Sequence, residues 1–283
     1  MANFRYPGPI CQTQDWYDGF DTGTLIRWRS PPPSTVGTTP GGTPSAIPSA
    51  CTFIQPRMRG TVHAPAAAFE RLRHNSGAAT ITHATPKTSQ TWPDGTSSGA
   101  LEQQITIDGQ TIHVIRPTQA DEAGKNLPST AQLAAALRAL PTSQRAHTRT
   151  VLLSPRAHPR STPTATIAGE AGSGEITLFP VGSTQSQNDF DNRVMHESGH
   201  NLQGSLWNSG TAVAAWTAVA TADGNRPSHY AANNTGDDFC EFGILYNTTK
   251  RTPCESATQQ LYPHRWAKME SYLGNSPRAT SRH

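Results

Sequence analysis

The segment Met195-His196-Glu197-Ser198-Gly199-His200 limits what this chain can fold into more than any other. On an α-helix two histidines four residues apart project from one face, one turn apart. A helix is therefore expected over about Asp189–Leu202, capped by Asp189 or Asp191, with Gly204 just past its end. On such a face two imidazole nitrogens can reach one ion at the ~2.0–2.1 Å typical of zinc. Glu197, next to the first histidine, is then directed at the open coordination position, where it can take a proton from an attacking water. The expected chemistry is hydrolysis supported by Zn2+, with His196 and His200 as ligands and Glu197 as general base.

A site of this kind needs a third protein ligand. The extension HExxHxxGxxH fails, because Gln203 stands where that pattern wants Gly and Leu206 where it wants His. The ligand must come from a later helix, and the best candidate segment is SHYAANNTGDDFCEF. Within it Asp237 and Glu241 lie one helical turn apart. One can ligate while the other accepts the Nδ1–H of a ligand histidine. A phenol such as Tyr230 can donate to a developing oxyanion.

Tyr230, Asn233, Asp237, Phe239 and Glu241, downstream of HESGH, resemble the catalytic domain of the anthrax lethal factor type of zincin. The resemblance spans roughly 127–246. It implies a metallopeptidase with Asp237 as third metal ligand, Tyr230 supporting the transition state and Glu241 as a second acidic residue behind the ligands. The family usually has Glu at the position of Asp237. The shorter side chain requires a closer helix, or else Asp238 or Glu241 binds instead.

The surrounding pattern fits an α+β, zincin-like fold: a small mixed β-sheet packed on helices, with the active-site helix below the edge strand. Ile105–Ile115 alternates about Asp108-Gly109, a hairpin signal. Helices are expected at Pro65–His74, ended by Asn75, and at PSTAQLAAALRALP, capped by Ser129 or Thr130. Thr150–Pro155 and Glu175–Gly182 read as strands, and the family resemblance implies that the second is the edge that pairs with an extended peptide. TAVAAWTAVAT reads as a buried helix, GDDFCEFGILY as the start of another, and LYPHRWAKMESYLG as a closing amphipathic one. Residues 1–60 form an expected irregular, Pro/Ser/Thr-rich segment. Residues 61–283 form the expected peptidase domain, with its core at 101–273.

Composition narrows the function classes. Only 34% of the 283 residues are hydrophobic, and Gly and Pro number 23 each, so long irregular connections are expected beside one compact region. A net charge of +3 without a basic stripe argues against nucleic-acid binding. No run approaches the ~20 apolar residues of a membrane span, and MANFRYPGPI lacks the pattern of a secretory signal. The four cysteines could pair locally as Cys11–Cys51 and Cys240–Cys254, which implies an oxidising compartment, periplasmic or extracellular. The partners expected are a peptide or protein substrate and, for a bacterial effector or toxin, a secretion-system or immunity protein. Two alternatives stand beside this reading: a periplasmic hydrolase of peptidoglycan peptides, and a non-enzymatic zinc-containing docking protein.

Overall fold

The computed structural model describes residues 11–14, 47–56, 60–123, 125–162, 165–207 and 209–273. The expected N-terminal aromatic cluster (Phe4, Tyr6, Trp16, Tyr17, Phe20, Trp28) and most of the Pro-rich stretch lie outside the described residues.

The architecture is α+β, as the sequence pattern implies. Eight strands form one mixed sheet: β1 (Cys11–Gln14), β2 (Thr80–Ile81), β3 (Thr85–Thr91), β4 (Ser97–Ile107), β5 (Gln110–Pro117), β6 (Thr150–Leu153), β7 (Ile167–Gly172) and β8 (Glu175–Leu178). Their order is β1-β7-β8-β6-β5-β4-β2, with β3 also on β4. The β4–β5 hairpin turns at Asp108 (φ 50°) and Gly109 (φ 78°), the positive-φ pair that matches the twist of the flanking strands. A second hairpin turns at Ser173 (φ 53°) and Gly174 (φ 83°) and joins β7 to β8. The glycine-rich stretch ahead of Glu175 is thus itself a strand and a turn. That makes β8 an inner strand, between β7 and β6, and not the edge expected from the sequence. The strand beside the helix that carries His196 and His200 is β7.

Nine helices occur among the described residues: α1 (Ala66–His74), α2 (Gln119–Glu122), α3 (Thr130–Ala139), α4 (Thr142–Ala146), α5 (Gln187–Leu206), α6 (Gly210–Asp223), α7 (Thr235–Thr249), α8 (Glu255–Leu261) and α9 (Pro263–Leu273). Ser129 caps α3 in a reciprocal capping box with Gln132. Helix α5 starts earlier and ends later than expected. Its N-cap is Ser186, and Asp189 closes the capping box from the N3 position instead of being the cap, while Gly204 lies inside the helix. The expected closing helix is broken at Tyr262 (φ −137°), which precedes Pro263 and is therefore pushed out of the helical region.

Apolar residues from the sheet (Ile105, Ile112, Val151, Ile176) and the helices (Leu133, Val194, Phe239, Phe242) share one buried core. Cys51 and Ile54 belong to it as well. Helix α6 differs from its expected burial: of its residues only Trp216 is buried, packed edge-on against Phe239.

The expected cysteine pairing is overturned. Cys51 is bonded to Cys254, 203 residues away, and Cys240 is buried and outside that bridge. Cys240 faces α5, which puts it out of reach of Cys254, and Cys51 in its short 3-10 turn (Ser49–Ile54) is consequently not the partner of Cys11. The observed bridge ties the N-terminal side of the core to the start of α8 and points to an oxidising compartment. Among the described residues no helix is long and apolar enough to cross a membrane.

Candidate metal centre

The histidine helix and α7 cross at an unusually close point, and one glycine permits it. A Cβ placed on Gly199 would lie 3.0 Å from Cys240 Sγ and 3.3 Å from Cys240 Cβ. A side chain at this position of the His-Glu-x-x-His segment would require Cys240 to give way by a few tenths of an ångström. Because they meet here, the first two turns of α7 face the histidines.

His196 and His200 are both buried and turn Nε2 toward each other, 3.2 Å apart. Asp237 Oδ1 stands 3.5 Å from His200 Nε2 and 3.9 Å from His196 Nε2. It is set there by the helix start. Asn234 caps α7, accepting from the Asp237 N–H, and its Nδ2 donates to Asp237 Oδ2 at 2.8 Å. The N-cap role is thus Asn234's, and the acidic residue at N3 is turned by it toward the histidines.

The outer nitrogens of both rings are also engaged. His196 Nδ1 meets Glu241 Oε1 at 2.9 Å, and His200 Nδ1 meets Gln203 Oε1 at 3.0 Å. A carboxylate and an amide oxygen can only accept, so each ring donates its Nδ1–H outward and turns Nε2 inward, bearing a lone pair on His200 and, once its second proton is lost, on His196. Glu241 is in turn fixed by Ser228 Oγ at 2.6 Å and by the Val62 N–H. Asp238, the neighbour of Asp237, faces away and is held by Arg265 and Trp216.

His196, His200 and Cys240 have ligand atoms within 4.8 Å of one another and could hold a metal ion. Cys240 Sγ lies 3.1 Å from His200 Nδ1, on the far side of that ring from His196. Glu197 is fully buried beneath the sheet. A Cβ on Gly169 of β7 would come within 2.6 Å of Glu197 Oε1, so the bare strand backbone lies directly against this carboxylate. Tyr230 is buried edge-on to His196, with ring centroids 5.6 Å apart. His229 and His264, the other histidines near these segments, are exposed.

Charge at the site is lopsided. Burial opposes protonation of His196, but the Glu241 hydrogen bond and charge, joined by Glu197 and Asp237, outweigh it and raise the group to about 9. Burial, followed by the repulsion of a charged His196, pushes His200 down to about 3. Near neutral pH the pair of rings therefore carries one positive charge, on His196.

Sequence reasoning named His196, Glu197, His200, Tyr230, Asp237 and Glu241, and all six are brought together. It missed Gln203, Ser228, Gly169 and the Val62 amide. Gln203 carried a legible signal, since a polar residue three positions after His200 on a helix faces the same way. Ser228 opens the segment already singled out but gave no spacing signal, and Gly169 and Val62 come from parts of the chain remote in sequence. Comparison of the chain with protein-family models, with curated sequences and with solved structures returned no match.

Proposed function

We propose that this chain is a zinc-dependent peptidase in which His196, His200 and Asp237 bind the metal. The observation that carries the reading is the convergence of three donor atoms with a buried carboxylate beside them. Ligands about 2.0–2.1 Å from a tetrahedral ion stand about 3.3–3.4 Å from one another, against 3.2 Å between the two Nε2 atoms, 3.5 Å from His200 Nε2 to Asp237 Oδ1 and 3.9 Å from His196 Nε2 to the same oxygen, which closes by a shift of about half an ångström. Cys240 serves the set less well. It approaches His200 at Nδ1, and one ion cannot engage both nitrogens of a ring whose Nε2 faces His196.

Zinc bound there would polarise the scissile carbonyl and acidify a water. The chain's own residues supply the rest. Glu241 and Gln203 fix the rings so that the Nε2 lone pairs point inward. Glu197 takes the proton of the attacking water and passes it to the leaving amine. Tyr230, edge-on to His196, stands ready to donate to the oxyanion. A strand backbone against Glu197 supports an extended peptide as the substrate class, and the disulfide supports work in an oxidising compartment.

The test is metal content and hydrolysis measured side by side. Wild type is expected to hold one zinc per chain and to cleave unfolded polypeptide. His200→Ala and Asp237→Ala lose the metal, whereas Glu197→Gln keeps it and loses about 10²–10⁴ in rate. Zinc kept by Asp237→Ala but lost by Cys240→Ser would transfer the third ligand to the thiol. A metal-replete wild type without zinc would end the proposal.

A further inference from the structure

Strand β7 has two edges, one on β8 and one on β1. Strand β1 comes from the far N-terminal side of the chain and runs antiparallel to β7, with Cys11 opposite Ala171, Gln12 opposite Glu170 and Thr13 opposite Gly169. Gly169 is the residue whose backbone lies against Glu197. The chain paired with β7 at this point therefore runs one strand spacing, about 4.8 Å, from the backbone that lies against Glu197.

We propose that the outer edge of β7 is a docking surface for an extended polypeptide and that β1 occupies it in cis. A substrate then enters by displacing β1. Calling the incoming chain a substrate rests on the peptidase reading above; the backbone docking does not. Strand addition draws its affinity from main-chain hydrogen bonds and its specificity from side-chain pockets. Here β1 is four residues long, its register slips between Thr13 and Gln14, and its sequence Cys-Gln-Thr-Gln contains no large apolar residue. It therefore makes few ladder bonds and brings no apolar anchor, which is what a replaceable occupant needs. Of the other strands only β2, two exposed residues on β4 at the opposite end of the sheet, has a shorter ladder, whereas β4 and β5 pair over eight positions without a slip.

The experiment uses the full chain carrying Gln12→Pro and Thr13→Pro together. Of two successive strand residues one directs its N–H at the partner, so the pair removes a ladder donor in either phase. The readout is hydrogen exchange of the β7 amides, residues 167–172, with and without a synthetic peptide of residues 8–17 (GPICQTQDWY) added in trans. If β1 holds the edge about nine-tenths of the time, release raises the accessible fraction about tenfold. Faster β7 exchange in the variant is expected, with protection restored by the peptide at about one-tenth the concentration wild type needs. Equal β7 exchange in the two proteins, or equal peptide affinity, overturns the proposal. Hydrolysis is followed in the same samples. A roughly tenfold gain in kcat/KM on unfolded polypeptide supports both readings. The exchange result without hydrolysis in either protein keeps the docking edge and removes the peptidase.

Discussion

Asp237 and Asp238 are neighbours in the first turn of α7, both buried, and they end in opposite surroundings. Asp238 accepts from Arg265 Nη2 at 2.6 Å and Nε at 2.9 Å, and from Trp216 Nε1 at 2.8 Å. Arg265 also reaches Asp223, whose other partners are the backbone amides of His264 and Arg265. The chain supplies the cation for this cluster itself. On the other side of the helix, Asp237 and Glu241 face two histidines that carry one positive charge, on His196. The donors that position these carboxylates, Asn234, Ser228 and the Val62 amide, are neutral. Two clusters of the same residue types thus differ in where their positive charge comes from, and on the reading proposed above the second takes it from zinc.

The largest test of that difference is to remove the charge from each side. Arg265→Leu leaves Asp238 and Asp223 without their cation, and breaking a buried pair in this way costs about 3–5 kcal/mol. Asp237→Asn, in chelator-treated protein, removes a carboxylate from a site already rich in them and is expected to cost less than about 1 kcal/mol, while abolishing zinc uptake. Urea unfolding of both variants gives the comparison directly. Similar losses in the two would mean that the histidine side is also a self-contained ion cluster, and the contrast would fail.

A smaller effect separates the ligands from their supports. Glu241→Gln keeps an oxygen for His196 Nδ1 but loses the charge, and Gln203→Ala removes the acceptor from His200 Nδ1. Supports of this kind carry about 10–100-fold in metal affinity. Glu241→Gln is expected toward the upper end and Gln203→Ala toward the lower, because only the first removes a charge. Zinc competition against a chromophoric chelator reads both. An unchanged affinity in Glu241→Gln would place that carboxylate among purely structural groups.

How far the sequence foretold this depends on whether the determining physics was local. The hairpin at Asp108-Gly109, the Ser129 cap and the His196–His200 face each rest on a few adjacent residues, and each is present as read. Helical spacing made His196, Glu197 and His200 legible and set Asp237 and Glu241 one turn apart, while the roles of Asp237 and of Tyr230, which lies in a 3-10 turn ahead of α7, came with the family resemblance. Pairings that depend on the whole topology were not legible. Proximity in sequence joined Cys240 to Cys254, but Cys240 points across the helix crossing at Gly199 and Cys254 bonds back to Cys51. The same limit hid β7, whose small residues Ile-Ala-Gly-Glu-Ala-Gly lack the β-branched run of an obvious strand. Small residues are what let it lie on Glu197. For α6 the composition misled in the other direction, since a run of Ala, Val and Thr reads as buried yet needs only Trp216 to anchor it.

The last contrast is in pH. In metal-free protein His200 is held at about 3 when folded against an ordinary 6.5, so the unfolded chain binds the extra proton between those values and stability rises with pH from 3 to 6.5. His196 is raised from 6.5 to about 9, so its contribution is complete below 6.5 and is lost as pH climbs through 9. The histidine side therefore predicts a maximum of metal-free stability near pH 6.5, measured by urea midpoints across pH 4–10 at constant ionic strength. Glu241→Gln should flatten the upper limb, because that carboxylate is the main support of the His196 proton. Saturating zinc should remove the upper limb altogether, since the metal takes the proton's place and binds more tightly as the proton leaves. A metal-free protein with no decline between pH 6.5 and 9 would show that His196 is neutral in the folded state. The pair of rings would then carry no positive charge for a metal to replace.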